Sequence, residues 1–228
     1  MSKNVKSIGE YAFYQTEWIS QQKKKNPLVI VNGNLLDGTA CKGKVKIPNG
    51  VTTICESAFQ GCKSLTEIEI PNGVKSIGAQ AFYDCSNLKK VSLANSVVSI
   101  GDEAFYECIN LESLKMSNKL KSIGKSAFEN CEKLNNLVFP NQLTSIGENA
   151  FYGCCGLKHL VLKNKIKIIE DNAFYLSGIK SITIPESVET IGDDAFNFCT
   201  NLKTATVPVK FKGIFDSWFT DCEITYTD

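Results

Sequence analysis

Apolar residues in this chain fall into a block that recurs, and no single helical period runs through it. In the clearest block, Leu65 is followed by Ile68 and Ile70, which alternate with polar residues as in a short β-strand. Pro71 comes next, and its locked φ and missing N–H suit the end of a strand. Val74 and Ile77 start a second apolar edge, and Gly78 marks a turn. Ala81 to Cys85 reads as a single helical or 3₁₀ turn that returns the chain to Leu88, where the next strand begins.

The block repeats along almost the whole chain. An Ala-Phe pair ends at Phe13, Phe59, Phe82, Phe105, Phe128, Phe151, Phe174 and Phe196, with Trp218-Phe219 as a degenerate copy. The steps between these phenylalanines are 46, 23, 23, 23, 23, 23, 22 and 23 residues, so one coil near the start has been rebuilt. Pro48, Pro140, Pro185 and Pro208 share the slot of Pro71 and mark one corner of the coil. Gly9, Gly101, Gly124, Gly147 and Gly192 share the slot of Gly78, but Cys55, Glu170 and Phe215 replace it elsewhere. The turn therefore cannot demand a left-handed residue there in every coil. A lone unit has nothing to bury its apolar side against. Stacked units form continuous apolar columns, with parallel strands about 4.8 Å apart.

Units of the form L-x-x-I-x-I-P-x-x-V-x-S-I-G-x-x-A-F-x-x-C-x-N resemble the BspA-like leucine-rich repeats, which occur in bacterial and protist surface proteins. The resemblance implies a leucine-rich repeat solenoid of the α/β repeat class. Its expected parts are short parallel strands joined by 3₁₀ or helical turns, in about nine coils. It further implies a non-catalytic protein-binding or adhesion module of a cell-surface protein. The implied partner is a protein, such as a host extracellular-matrix or plasma protein. The family pattern has no catalytic residues and no cofactor to carry over.

The chain departs from the pattern in several places. The unit ending near Gly178 is one residue short and has Ser177 in the cysteine slot. Residues 207–228 read as a C-terminal cap on a single domain spanning 1–228. The first unit begins at Val5 without its own strand, an expectation of a chain cut from a longer array with an upstream targeting signal. Residues 14–46 form an insertion. Within it, Trp18 and Ile19 are expected to pack back on the stack, and Lys23, Lys24 and Lys25 to form a solvated loop. Asn32-Gly33 between apolar runs predicts a β-hairpin that either covers the open end of the stack or protrudes as a contact loop.

Seven cysteines follow the repeat phenylalanine by three residues: Cys62, Cys85, Cys108, Cys131, Cys154, Cys199 and Cys222. Neighbouring coils are close enough for disulfides, but equivalent side chains in parallel coils point the same way, which favours a reduced ladder. Cys41, Cys55 and Cys155 lie off this column. No C-x₂₋₄-C pair offers a zinc site, and no P-loop, G-x-G-x-x-G or G-x-S-x-G occurs. His159, the single histidine, sits on a strand away from the cysteine column, so no Cys–His nucleophile is expected. A net charge of +1 gives no global attraction to nucleic acid or anionic membrane, and no apolar run is long enough for membrane insertion.

The polar positions of each strand should face outward in three columns. The first contains Thr66, Lys89, Glu112, Asn135, Lys158, Lys180 and Lys203. The second contains Glu67, Lys90, Ser113, Asn136, His159, Ser181 and Thr204, and the third Glu69, Ser92, Lys115, Val138, Val161, Thr183 and Thr206. The candidate partner-binding patch is Asn136, Val138, Lys158, His159 and Val161, an apolar centre with a polar rim. Two other readings stay open. One is an intracellular scaffold or sensor. The other is a glycan-binding module, for which Tyr83, Tyr106, Tyr152 and Tyr175 form the only aromatic stripe.

Overall fold

The computed structural model describes residue 13, residues 16–219 and residues 221–228. The first unit's start at Val5, its Gly9 and its Ala12 lie outside the described residues.

Each coil contributes two strands. The longer one is the L-x-x-I-x-I segment. Gly43–Lys46, Leu65–Ile70, Lys90–Leu93 and Ser113–Lys115 form a four-stranded parallel sheet. Asn136–Val138, His159–Val161, Ser181–Thr183, Thr204–Pro208 and Glu223–Thr227 form a five-stranded one. The second strand is only two residues long, as in Ser76–Ile77 and Ser99–Ile100; seven of these stack in register and, with Val29–Val31 and Asn34–Asp37, make one nine-stranded sheet. A two-residue strand gives no readable alternation, and the sequence showed only an apolar edge there.

The third side of the coil holds 3₁₀-type hydrogen bonds without a continuous helical turn. Tyr83 N donates to Gln80 O at 3.0 Å and Cys85 N to Phe82 O at 3.2 Å. Alternate amides leave the coil instead, with Gln80, Phe82 and Asp84 donating to Asp102, Ala104 and Tyr106 of the next one. This ladder places two residues per coil in the left-handed region, Gln80 at φ 54° and Asp84 at φ 50°. The equivalent slots hold Asn, Asp and Gly in several coils, the residues that tolerate that region best.

The glycine slot has a different cause. A Cβ on Gly147 would lie 2.7 Å from the Gly124 carbonyl carbon and 2.8 Å from Lys125 N. The previous coil's backbone passes too close for a side chain, and φ is not positive.

Inside the coils the phenylalanines form one stack. Rings from Phe59 through Phe82, Phe105, Phe128, Phe151 and Phe174 to Phe196 lie 4.9–5.3 Å apart at interplanar angles of 4–10°. At the N-terminal end, Gly38 lies against the Phe59 ring, which leaves no room for a Cβ. At the C-terminal end the column continues to Phe215, 5.9 Å from Phe196 and fully buried. The repeat step of 23 residues points to Phe219 in that place. The helix Lys212–Trp218 turns Phe215 inward, and Phe219 packs 6.0 Å beside it.

The region before Ile47 also differs from expectation. Glu17–Lys25 is an α-helix whose first turn is capped by Thr16, which accepts a hydrogen bond from Ile19 N at 3.3 Å. Lys23, Lys24 and Lys25 are its last turn, not a loop, where cations suit the helix dipole. Ile19 is buried, and Trp18 packs its ring 4.8 Å from Phe13. The hairpin of Val29–Val31 and Asn34–Asp37 turns through Asn32 and Gly33 at φ 48° and 78°. Its second strand pairs with Thr53–Ile54 and so extends the nine-stranded sheet. Gly43–Lys46 is a regular long strand, so the repeat resumes before residue 47.

Truncating the middle of the ring column with Phe105→Ala should lower the unfolding free energy in urea by about 3–5 kcal/mol. An unchanged midpoint would contradict the column. Two glycine substitutions should move stability in opposite directions. Gly147→Ala forces the coils apart and should cost about 1–3 kcal/mol. Gly213→Ala adds a methyl to a helix with nothing within 4 Å and should gain about 0.5–1 kcal/mol.

Candidate functional site

Strand pairing decides which side chains share a face. In the long-strand sheets Asn136 pairs with His159 and Val138 with Val161, while Ser181 and Thr183 pair with Thr204 and Thr206. Residues between them, Leu137, Leu160 and Ile182, point into the core. All five members of the candidate patch are exposed: Asn136, Val138, His159 and Val161 share the outward face of the paired strands, and Lys158 directly precedes the strand His159–Val161. Val138 is 61% and Val161 44% exposed, directly adjacent across the ladder. Lys115 and Thr183 continue their column on either side as exposed polar residues. Among the described residues the His159 side chain makes no hydrogen bond or ion pair.

This face is interrupted between Ser113–Lys115 and Asn136–Val138, where the two long-strand sheets meet without pairing. Leu114, whose counterparts Val91 and Leu137 are buried, is half-buried at this break. Phe139, the largest side chain in its inward column, lies on the far side of the break. Its ring is 5.6 Å from Phe151 and 6.4 Å from Phe174. Val138, next to Phe139, thus stands at the edge of the five-stranded sheet.

Charge is distributed unevenly over the same face. On the N-terminal sheet Lys44 pairs with Glu67 and Lys46 with Glu69, each at 3.0 Å. On the C-terminal sheet Lys158, Lys180 and Lys203 are exposed and follow one another in one column. Lys180 N donates to Lys158 O at 3.3 Å and Lys203 N to Lys180 O at 2.9 Å, which fixes their register.

The turn edge carries the aromatic stripe. Tyr83 stacks on Tyr106 at 4.8 Å and Tyr152 on Tyr175 at 5.1 Å, the stripe being broken by Glu129. Burial and the nearby carboxylates of Glu103, Glu107 and Glu129 raise the Tyr83 and Tyr106 phenols above their usual range. Two exposed residues here escaped the sequence reading, Leu176 at 42% and Phe198 at 53%. They fill left-handed slots that other coils give to Asp, Asn or Gly, and that mismatch was their signal. Phe198 also borders a cavity of about 300 Å³ beneath the terminal helix, lined in part by Lys203, Trp218, Phe219 and Cys222.

The cysteines serve the backbone. All ten are free. Cys85, Cys108, Cys131, Cys154 and Cys199 each donate S–H to a phenylalanine carbonyl of the previous coil at 3.1–3.3 Å. Ser177 takes the slot as a buried hydroxyl, 3.1 Å from Cys199 Sγ. Cys222 does not continue the ladder. It is half-buried, and its Sγ turns to Glu223 O, because the last coil is rebuilt around the terminal helix. Burial pushes the Cys41, Cys55 and Cys199 thiols up to about 11, and the mid-column thiols higher still. Thiols held neutral in this way are poor nucleophiles and poor metal ligands. Among the described residues, no three His, Cys, Asp or Glu side chains cluster as a metal site. No described helix is long and apolar enough to cross a membrane.

The model of the BspA-type leucine-rich repeat region matches residues 1–97, 30–154 and 121–228. The chain belongs to the BspA-type leucine-rich repeat family. It is similar to a leucine-rich cell surface protein from Faecalibacterium prausnitzii, at 30% identity and a TM-score of 0.72. That match covers 75% of this chain and 49% of the other, so the chain spans about half the length of that relative. It is also similar to the leucine-rich repeat protein of T. pallidum, at 25% identity and a TM-score of 0.64, over 81% of this chain and 86% of that one. No curated protein matches it in sequence.

Two measurements follow from the thiols. Iodoacetamide at neutral pH should label the exposed Cys155 and leave Cys85, Cys108, Cys131 and Cys154 unmodified until denaturant is added. Mass spectrometry of the digested protein reads this out, and early labelling of the column would contradict the ladder. The sign of the pH effect follows from the direction of the shift. The folded state holds the thiol proton more tightly, so this contribution is complete below the unfolded value of about 9 and is lost as pH rises towards about 11. The thermal midpoint should be flat from about pH 7 to 8 and fall above about 9. Cys108→Ser should soften that fall.

Proposed function

We propose that this chain is a non-catalytic protein-binding module of a cell-surface protein, and that its partner docks on the long-strand face at Asn136, Val138, Lys158, His159 and Val161. The observation that carries this reading is the Val138–Val161 pair. Two aliphatic side chains lie exposed side by side on a face whose other outward positions nearby are polar. An apolar centre ringed by hydrogen-bonding groups is the anatomy of a small interface core. The rigid column beneath keeps the patch pre-formed, so little ordering cost attends docking. The surface location of the F. prausnitzii relative supports placing the partner outside the cell, among host extracellular-matrix or plasma proteins. A single domain over 1–228, with residues 207–228 as its cap, fits the reading.

A second reading rests on the turn edge. Tyr152, Tyr175 and Phe198 form a stepped aromatic row, with Phe198 tilted at 46° to Tyr175 and 53% exposed. Sugar rings stack on such rows.

Purified protein should be screened by surface plasmon resonance against matrix and plasma proteins and a glycan panel. Lys158→Glu/Val161→Glu should lower partner affinity at least tenfold, or about 1.4 kcal/mol, with an unchanged circular dichroism spectrum. If Phe198→Ala abolished binding and the double substitution left it intact, the turn edge would be the site.

A further inference from the structure

We infer that the ligand of the long-strand face is an acidic polypeptide segment, held by the column Lys158, Lys180 and Lys203 beside the Val138–Val161 pair; this rests on the docking face proposed above.

The inference starts from a contrast between two sets of lysines. Several lysines meet a carboxylate of the neighbouring coil. Lys44 meets Glu67, Lys46 meets Glu69, Lys63 meets Asp84 at 3.2 Å and Lys125 meets Glu148 at 2.8 Å. Lys167 is likewise paired with Glu189. At Lys158, Lys180 and Lys203 three consecutive coils instead present the same charge in register, and among the described residues none of the three has a carboxylate partner. These lysines directly precede the strands, and like charges stacked in register on neighbouring coils repel. This repulsion is left standing here. A bound anion would relieve it.

The geometry selects the kind of anion. The three backbone positions span about 10 Å, two strand spacings. Carboxylates on one face of a helix or at alternate positions of an extended strand fall on a similar spacing. Hydroxyls of Ser181, Thr183, Thr204 and Thr206 lie beside the column as hydrogen-bond donors for the same groups. The decisive neighbour is apolar. Val138 and Val161 offer a seat for an aliphatic side chain, which an acidic peptide carries and a sulfated polysaccharide does not. The three outward columns contain no Phe, Tyr or Trp ring on which a sugar or a base could stack.

The test uses the full chain and fluorescence anisotropy at two salt concentrations. The probes are a short labelled peptide of glutamates flanking a central leucine, its glutamine counterpart, and heparin. The acidic peptide should bind, more weakly at high salt, and the glutamine peptide should not. Lys180→Gln/Lys203→Gln should weaken it roughly tenfold without altering the circular dichroism spectrum. Val138→Ser/Val161→Ser should weaken it as well. Absence of acidic-peptide binding overturns the inference, as does equal binding of the glutamine peptide. Heparin binding that depends on the lysines, with the acidic peptide indifferent to them, overturns it in favour of a sulfated glycan. If the valine variant loses the peptide and the lysine variant keeps it, the lysine column fails and the docking face stands. If neither variant changes binding, the docking face fails too.

Discussion

Everything in this molecule depends on coil lying on coil in register. A single unit has one apolar side and no partner for it, and many of its backbone amides point along the stack, not back into the unit. Three ladders close that deficit at once: the long strands, the two-residue strands and the turn segments, each donating to the neighbouring coil. The phenylalanine stack fills the space between them at ring spacings set by the strand separation. Neither the ladders nor the ring column can form without the other, as expected of a quasi-one-dimensional repeat protein.

The smaller regularities follow from that spacing. Where two coils approach backbone to backbone, only glycine leaves room, as at Gly147. Where a carbonyl faces inward beside the ring column, a small side chain with a donor is needed, and cysteine meets it; Ser177 in the same slot contacts Cys199 Sγ. The two ends of the described ring column are met differently. Gly38 and the hairpin strand meet the stack at one end, and Phe215 on a short helix meets it at the other. The same register carries outward-facing positions into straight columns. Three lysines or two valines in one column are therefore neighbours in space, although about 23 residues apart in sequence.

Much of this was legible in the residues, for definite reasons. The Ala-Phe step exposed the repeat, and alternation in L-x-x-I-x-I separated inward Leu137 and Leu160 from outward Val138 and His159. Other features were hidden where the signal is short or tertiary. Ser76–Ile77 is too brief to show a period. The helix Glu17–Lys25 had an N-cap in Thr16 and a basic last turn, but its lysine run read more readily as a loop. Phe215 and Phe219 are four residues apart, and only the helix decides which one faces the column. The break in the long-strand face beside Phe139 depends on how neighbouring coils accommodate a large ring, which no single unit reveals. For the candidate site, strand alternation gave the outward register of Asn136, Val138, His159 and Val161, whereas the lysines' lack of carboxylate partners became visible only in three dimensions.

The central claim is that each unit is an interchangeable layer held by its neighbours, and deletion tests it most directly. Removing residues 118–140, one complete 23-residue step, keeps every column in register. Removing residues 118–128 alone shifts strands onto turns. Urea unfolding followed by circular dichroism should show a cooperative transition for the whole-step deletion, at a lower midpoint than the intact chain, and none for the partial one. Loss of cooperative folding on deleting the whole step, or its survival in the partial deletion, would contradict the account.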